Sequence, residues 1–215
     1  MVSPEASSVR QAIAKKYREV ARSPRGLFKY QTGEASALAL GYSPVRIAAV
    51  PYAARSRFVE VGNPVALGPI GKDEHVLDLG CGAGFDAFVE AQLVGPAGRV
   101  CGVDLRPEML AVADAARIEA AFPQVEFREA AVEALPFGDA LFDVALSNGV
   151  LNLIPEKPAA LREVFHVLKP GGWLQVCKWG WSGRSRRRTR LPGPTESPAP
   201  LRGRSSSPCS KLPVS

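Results

Sequence analysis

Chemistry built on histidine or on a bound metal has little to stand on in this chain. Only two of its 215 residues are histidines; His75 precedes a predicted strand and His166 sits on a predicted helix, so both read as structural groups rather than general bases. The four cysteines, Cys81, Cys101, Cys177 and Cys209, have neither C-x-x-C spacing nor any other zinc pattern, so no metal site is expected. Three of them fall in predicted strands or in a glycine-rich loop, which suggests reduced thiols in a cytosolic setting. No apolar run reaches the length of a membrane-spanning helix, and the N-terminus lacks the apolar core of a signal peptide; the expectation is a soluble, cytoplasmic protein with no membrane partner. No Gly-Lys-Ser or Gly-Lys-Thr follows the glycine loop, which excludes a P-loop. Acidic balance is missing too, since the net charge is +6, but that excess sits at one end. Residues 182–215 hold seven Arg and one Lys against Glu196, a charge of +7 that leaves −1 for residues 1–181. A folded part so near neutral gives no support to nucleic-acid binding, except non-specifically through the tail.

What is present is organised around His75-Val76-Leu77-Asp78-Leu79, an apolar run of strand length, and the glycines that follow it, Gly80, Gly82 and Gly84. A strand that breaks into three alternating glycines before an apolar run predicts a loop opening a helix, with backbone able to approach a ligand closely. The third glycine comes one residue too early for the dinucleotide fingerprint. Asp78 and Asp86 also bring carboxylates to where a pyrophosphate would lie, so an anion is disfavoured and a cationic ligand favoured. About 20 residues further on, as such sites require, Arg99-Val100-Cys101-Gly102-Val103-Asp104 forms a second predicted strand ending in an acid. Asp104 is placed to accept two hydroxyl groups.

The rest of the chain fits around that core. Val9, Ile13, Tyr17 and Val20 recur at helical spacing until Ser23-Pro24 stops them. Residues 27–70 alternate loop and short helix, a region suited to fold over the mouth of a ligand cleft. Helices are predicted from the glycine loop to about Val94 and from Pro107 to about Ala121. Strands are predicted at Val125-Glu126-Phe127-Arg128, Phe142 to Ser147 and Trp173 to Cys177. A helix carrying Leu161, Val164, Phe165 and Leu168 precedes the last of these. Alternating strands and helices imply a parallel sheet covered on both faces. From Ser182 the composition, eight Ser and six Pro with the Arg184 to Arg190 cluster, is that of a disordered segment. Three parts are therefore expected: an N-terminal helical lid region over 1–70, a ligand-binding α/β domain over 71–181, and a basic Ser/Pro/Arg-rich tail over 182–215.

With these residues assembled, the chain resembles class I S-adenosylmethionine-dependent methyltransferases, and within them the arsenite methyltransferase family, over residues 26–178. Val76 to Gly84, Val103-Asp104, Leu135-Pro136-Phe137 and Leu168 to Gly172 carry the general likeness. Gly62-Asn63-Pro64, Gly82-Ala83-Gly84-Phe85-Asp86, Pro107-Glu108-Met109 and Ser147-Asn148-Gly149-Val150-Leu151-Asn152 carry the closer one. The resemblance implies an α/β, Rossmann-like class I methyltransferase with a mostly parallel sheet and helices on both faces, its last strands absent. It implies S-adenosyl-L-methionine as cofactor, held by Asp78, Gly80, Gly82, Gly84, Asp104, Leu105, Val132, Glu133 and Asn148. Leu135 and Phe137 would pack in the loop lining the adenine, where Ala131 replaces the polar residue often found opposite its amino group. Asn148 and Asn152 are the candidate acceptor-facing groups. The partner is a small-molecule methyl acceptor. Arsenite requires converging thiolates, yet the positions where the family carries cysteines, before the Gly-Asn-Pro turn and after the Ser-Asn of the fourth strand, are here Val61 and Gly149. The alternatives are a catalytically inactive, truncated remnant and a methyltransferase of a quinone or other small organic acceptor.

Overall fold

The computed structural model describes residues 4–178 and 209–213. It opens with α1 (Pro4–Arg22), which ends before Ser23-Pro24. Three short helices follow, α2 (Glu34–Ala39), α3 (Pro44–Ala49) and α4 (Tyr52–Arg55), and then a 3₁₀ turn at Pro64–Ala66. From His75 strands and helices alternate: β1 (His75–Leu79), α5 (Phe85–Val94), β2 (Arg99–Asp104), α6 (Pro107–Glu119) and β3 (Val125–Glu129). After a connection without a helix come β4 (Phe142–Asn148), α7 (Lys157–Val167), β5 (Leu168–Cys177) and β6 (Cys209–Pro213).

The six strands form one sheet in the order β3-β2-β1-β4-β5-β6. The first five are parallel, and β6 runs antiparallel to β5. The order reverses between β1 and β4, which run side by side with Val76 opposite Val144 and Leu79 opposite Ser147. In open sheets a crevice for ligands lies beyond the carboxyl ends of strands at that reversal.

Apolar residues of both parities bury the sheet on two faces. On one, Val76, Val100, Val144 and Leu146 pack under α5 with Phe85 and Phe88 and with Tyr42, Ile47 and Phe58 of the N-terminal region. On the other, Leu77, Leu79, Val103, Ala145 and Leu174 pack against Ala160, Val164 and Val167 of α7. Together these two clusters form the core that fixes the strand ends.

The structure departs from the sequence reading at three places. β5 starts at Leu168, which the helical spacing assigned to α7. Leu168 pairs with Phe142, and the register then shifts so that Trp173 pairs with Val144; Lys169-Pro170-Gly171-Gly172 is thus an irregularity within a strand rather than a loop ahead of one. The tail expected to be wholly irregular, with no further strand, contributes β6, which satisfies the free edge of β5 by antiparallel pairing; the remainder of 182–215 lies outside the described residues. Cys177, expected as a reduced thiol, is disulfide-bonded. The pairing of β6 with β5 sets Cys209 in register with it, a long-range proximity that spacing alone cannot reveal. Cys81 and Cys101 are free and buried. Among the described residues no helix is long and apolar enough to cross a membrane.

Candidate active site

The carboxyl end of β1 is built by backbone geometry. Gly80, Gly82 and Gly84 take φ of 75°, 53° and 86°, values that side chains disfavour. The loop is pinned to β2, because the Gly80 and Cys81 N–H groups donate to the Val103 carbonyl at 2.7 and 3.0 Å. The Gly82 N–H donates to Asp104 Oδ2 at 2.9 Å, while the Arg106 N–H donates to Asp104 Oδ1 at 2.9 Å. Asp104 therefore orients both the glycine loop and the start of α6, and as a carboxylate it has acceptor capacity beyond these two bonds. Burial raises its pKa, and these N–H donors oppose the rise.

The three glycines differ in what crowds them. A Cβ on Gly80 would stand 2.0 Å from Val150 Cγ2, and one on Gly84 would stand 2.7 Å from Phe127 Cζ. On Gly82 it would meet only the tip of Met109, at 3.3 Å. Gly84 thus leaves no room for a side chain between α5 and β3, and it does not line the cleft. Gly80 and Gly82 do, with Asp78, Asp104, Leu105, Val132 and Glu133.

Asp78 is 3% exposed and lines the same cleft. Its Oδ2 has no hydrogen-bond partner. Burial, and then the neighbouring Asp86 and Asp104 charges, hold its carboxyl well above the usual carboxylate range, against a hydrogen bond from the Ala87 backbone. Asp86, in the first turn of α5, is buried but partnered: the Tyr42 hydroxyl donates to Oδ1 and the Asn148 amide to Oδ2, the latter at 2.9 Å. Burial raises its pKa to about 6, opposed by those two donors.

Asn148 ends β4 at the cleft, but its amide is occupied. Nδ2 donates to the Gly62 carbonyl at 2.9 Å as well as to Asp86, and Oδ1 accepts from the Gly62 and Val61 N–H groups at 3.1 and 3.3 Å. This side chain clasps the 61–62 turn to the strand end, which leaves no free polar group to face an acceptor. Asn152 does not reach the cleft lining. Leu135 and Phe137 also turn away from it: Leu135 joins the core under α7, and Phe137 stacks edge-on against Phe142 with Arg128 over its ring. Neither histidine lines the cleft. His166 pairs with the exposed Asp139, and the His75 backbone N–H donates to Asp143.

The sequence reading missed two residues that line the cleft, Tyr17 and Glu60, and one buried behind its wall, Tyr42. Tyr17 of α1, read as core, stands over the cleft, its pKa pushed up by burial and by the Glu60 charge. Tyr42 serves as the donor to Asp86. Glu60 lines the cleft with no cation among the charges that act on it; burial and then Asp86, Asp78 and Asp104 all push its pKa well up. Its signal was available, since it is the one charged residue in Phe58-Val59-Glu60-Val61. A Cβ on Gly149 would lie 3.5 Å from Val61 and 3.8 Å from Glu60 Oε2. Val61 and Gly149, the two positions without the expected cysteines, therefore lie side by side next to Glu60, though neither is itself part of the cleft lining.

The arrangement fits a cationic ligand with a sugar. Unsatisfied Asp78 faces the glycine loop, Asp104 follows on the next strand, and apolar Val132 and Leu105 flank them, an order matching the ammonium, ribose and base of S-adenosylmethionine. A family model described as a methyltransferase domain matches residues 70–194. An arsenite methyltransferase of Halobacterium salinarum is 44% identical over 115 residues, covering 54% of this chain and 29% of that protein. A demethylmenaquinone methyltransferase of Lactococcus lactis is 41% identical over 102 residues, covering 47% of this chain and 40% of that protein. The solved structure of an arsenic(III) S-adenosylmethionine methyltransferase from Chlamydomonas reinhardtii is similar with a TM-score of 0.52 and 34% identity, over 69% of this chain and 50% of that one. The chain spans between 29% and 40% of the length of these two curated relatives.

Proposed function

Since the chain belongs to the methyltransferase-domain family, with the fold of class I S-adenosylmethionine-dependent enzymes, we propose that it binds S-adenosylmethionine in the cleft at β1 and β2 and transfers the methyl group to a small-molecule acceptor. The observation that carries this reading is the buried Asp78 with an unpartnered oxygen in the cleft wall, one strand from Asp104. A carboxylate left unsatisfied in a low-dielectric wall is costly unless a cationic ligand completes it.

S-adenosylmethionine, when bound, supplies a methyl group on a sulfonium that is already a good leaving group. The protein's own task is then proximity, orientation and exclusion of water. Asp78 would receive the ammonium, Asp104 the ribose hydroxyls, and Val132 and Leu105 would border the base, with Glu133 at its edge. Asn148 and Asp86 would hold the 61–62 turn against the strand end and so define where an acceptor can enter. Tyr17 and Ile13 of α1 would cover the opening from the other side. Trivalent arsenic, for which two of the similar proteins are named, is poorly served by this wall: Val61 and Gly149 offer no thiolate, and Cys81 and Cys101 have their pKa values raised, in each case by burial first.

Calorimetric titration of the 215-residue chain with S-adenosylmethionine tests the reading, with Asp104→Ala as the comparison. Saturable binding weakened at least tenfold by the substitution, about 1.4 kcal/mol, supports it. A folded chain that binds none, or that binds equally well after the substitution, overturns it.

A further inference from the structure

The acceptor end of the cleft carries a chemical preference that the cofactor does not explain. Glu60 lines it, and its Oε2 lies 3.8 Å from where a Cβ of Gly149 would stand, at the carboxyl end of the central strand. No described side chain bonds or neutralises it. Of the two cations in the cleft wall, Arg57 spends its guanidinium on the backbone carbonyls of Ala21, Arg22 and Ala53, and Arg106 sits beside Asp104. The charges that reach Glu60 are those of Asp86, Asp78 and Asp104, all negative. Asp86 is satisfied by Tyr42 and Asn148. Asp78 is nine-tenths or more buried, lines the same cleft and has an unpartnered oxygen, but it serves the ammonium of the cofactor. Glu60 is left over. A second anion in this field is repelled, a neutral apolar group leaves the carboxylate unsatisfied, and a cation or strong N–H donor completes it.

The cleft that Glu60 lines also has apolar wall in Val150, Leu153 and Ile154, with Tyr17 of α1 among its lining. On these grounds we propose that the acceptor is a small amine, its nitrogen held opposite Glu60 and its carbon skeleton laid on Val150, Leu153 and Ile154. The inference rests on the cofactor reading above and names the substrate class for the same cleft. Glu60 is a binding group here; an acidic or phosphorylated acceptor is excluded by the same charges.

The test uses the full chain saturated with S-adenosylhomocysteine and titrated in a calorimeter with three probes: benzylamine, its neutral isostere benzyl alcohol, and sodium arsenite. Benzylamine is expected to bind at least tenfold tighter than benzyl alcohol. Glu60→Gln, close in shape and checked for folding by circular dichroism, is expected to erase that preference while S-adenosylhomocysteine binding stays unchanged. Equal binding of amine and alcohol, tighter binding of arsenite, or an amine affinity indifferent to Glu60→Gln overturns the inference alone. The probe comparison on the unmodified chain decides even if the variant fails to fold. A folded chain that binds no S-adenosylhomocysteine overturns the cofactor reading, and the inference with it.

Discussion

Both faces of the sheet are packed with apolar side chains, yet they handle polar groups differently. Beneath α7 the inner face is largely aliphatic, with Leu77, Leu79, Val103, Ala145 and Leu174 against Val164 and Val167. Beneath α5, the row running across the sheet through Asp78, Leu146 and Gln175 carries two polar side chains in three, and α5 adds Asp86 and Glu90. Asp78 Oδ2, both Glu90 oxygens and both polar atoms of the Gln175 amide lack protein partners. Polar groups buried in this way weaken a fold. Their concentration under α5, and their scarcity under α7, sets a face that carries a cost in stability against one that does not, and of these three unpartnered side chains only Asp78 lines the cleft.

The sharpest way to expose that contrast is to damage the aliphatic face. Leu77 is fully buried on β1, one residue from Asp78 but pointing the opposite way. Leu77→Ala is expected to cost about 2–5 kcal/mol through the cavity it leaves, read as a lower urea midpoint. The S-adenosylmethionine affinity of the molecules that remain folded should not change. A loss of affinity without a loss of stability would mean that the two faces are not separable.

The converse experiment removes a polar group from the α5 face. Glu90 is fully buried, and its pKa is held well up by burial first and then by Asp78 and Asp86. A carboxyl group whose folded pKa exceeds its unfolded one binds more protons when folded. Its contribution therefore falls as pH rises from the unfolded value near 4.5 toward the folded one, and is least favourable above it. Glu90→Met is expected to stabilise the chain by about 1–4 kcal/mol at neutral pH, in the manner of other buried charges replaced by apolar groups. It should also flatten the decline of stability with pH above 4.5. Thermal melts from about pH 5 to about pH 8, all above the unfolded value, check both effects. Destabilisation by Glu90→Met would show instead that Glu90 has a stabilising partner.

The same contrast explains how much the sequence could disclose. Wherever one segment carried the whole signal, the expected element is there: β1, the glycine turn that opens α5, and β2 ending at Asp104 are local patterns whose physics does not depend on distant residues. It fell short wherever a residue's role is decided by a partner far along the chain. Asn148 at a strand end looks acceptor-facing until the 61–62 turn, 86 residues away, takes its hydrogen bonds. Leu168 continues a helical stripe until Phe142 claims it for a strand. β6 has no strand pattern of its own and exists through the edge that β5 offers. Glu60, which is only partly buried, was passed over because an acid in a short apolar run resembles a surface position, and its place in the cleft lining is set by elements far along the chain.

The finest test of the comparison lies within the loop that joins the two functions. Gly80 and Gly82 both have positive φ and both line the cleft, but Gly80 is walled in by Val150 whereas Gly82 is bounded only by the flexible end of Met109. Gly82→Ala should therefore fold, at a cost of about 1–2 kcal/mol for its left-handed backbone, with Met109 moving a few tenths of an ångström. Because the Gly82 N–H orients Asp104, even this small strain should reach the cofactor. Weaker S-adenosylmethionine binding than the stability loss alone accounts for, measured by calorimetry beside urea melts, would tie the loop to the ligand. Unchanged binding would mean that Asp104 is held well enough by the Arg106 N–H, and that Gly82 serves the turn and nothing more.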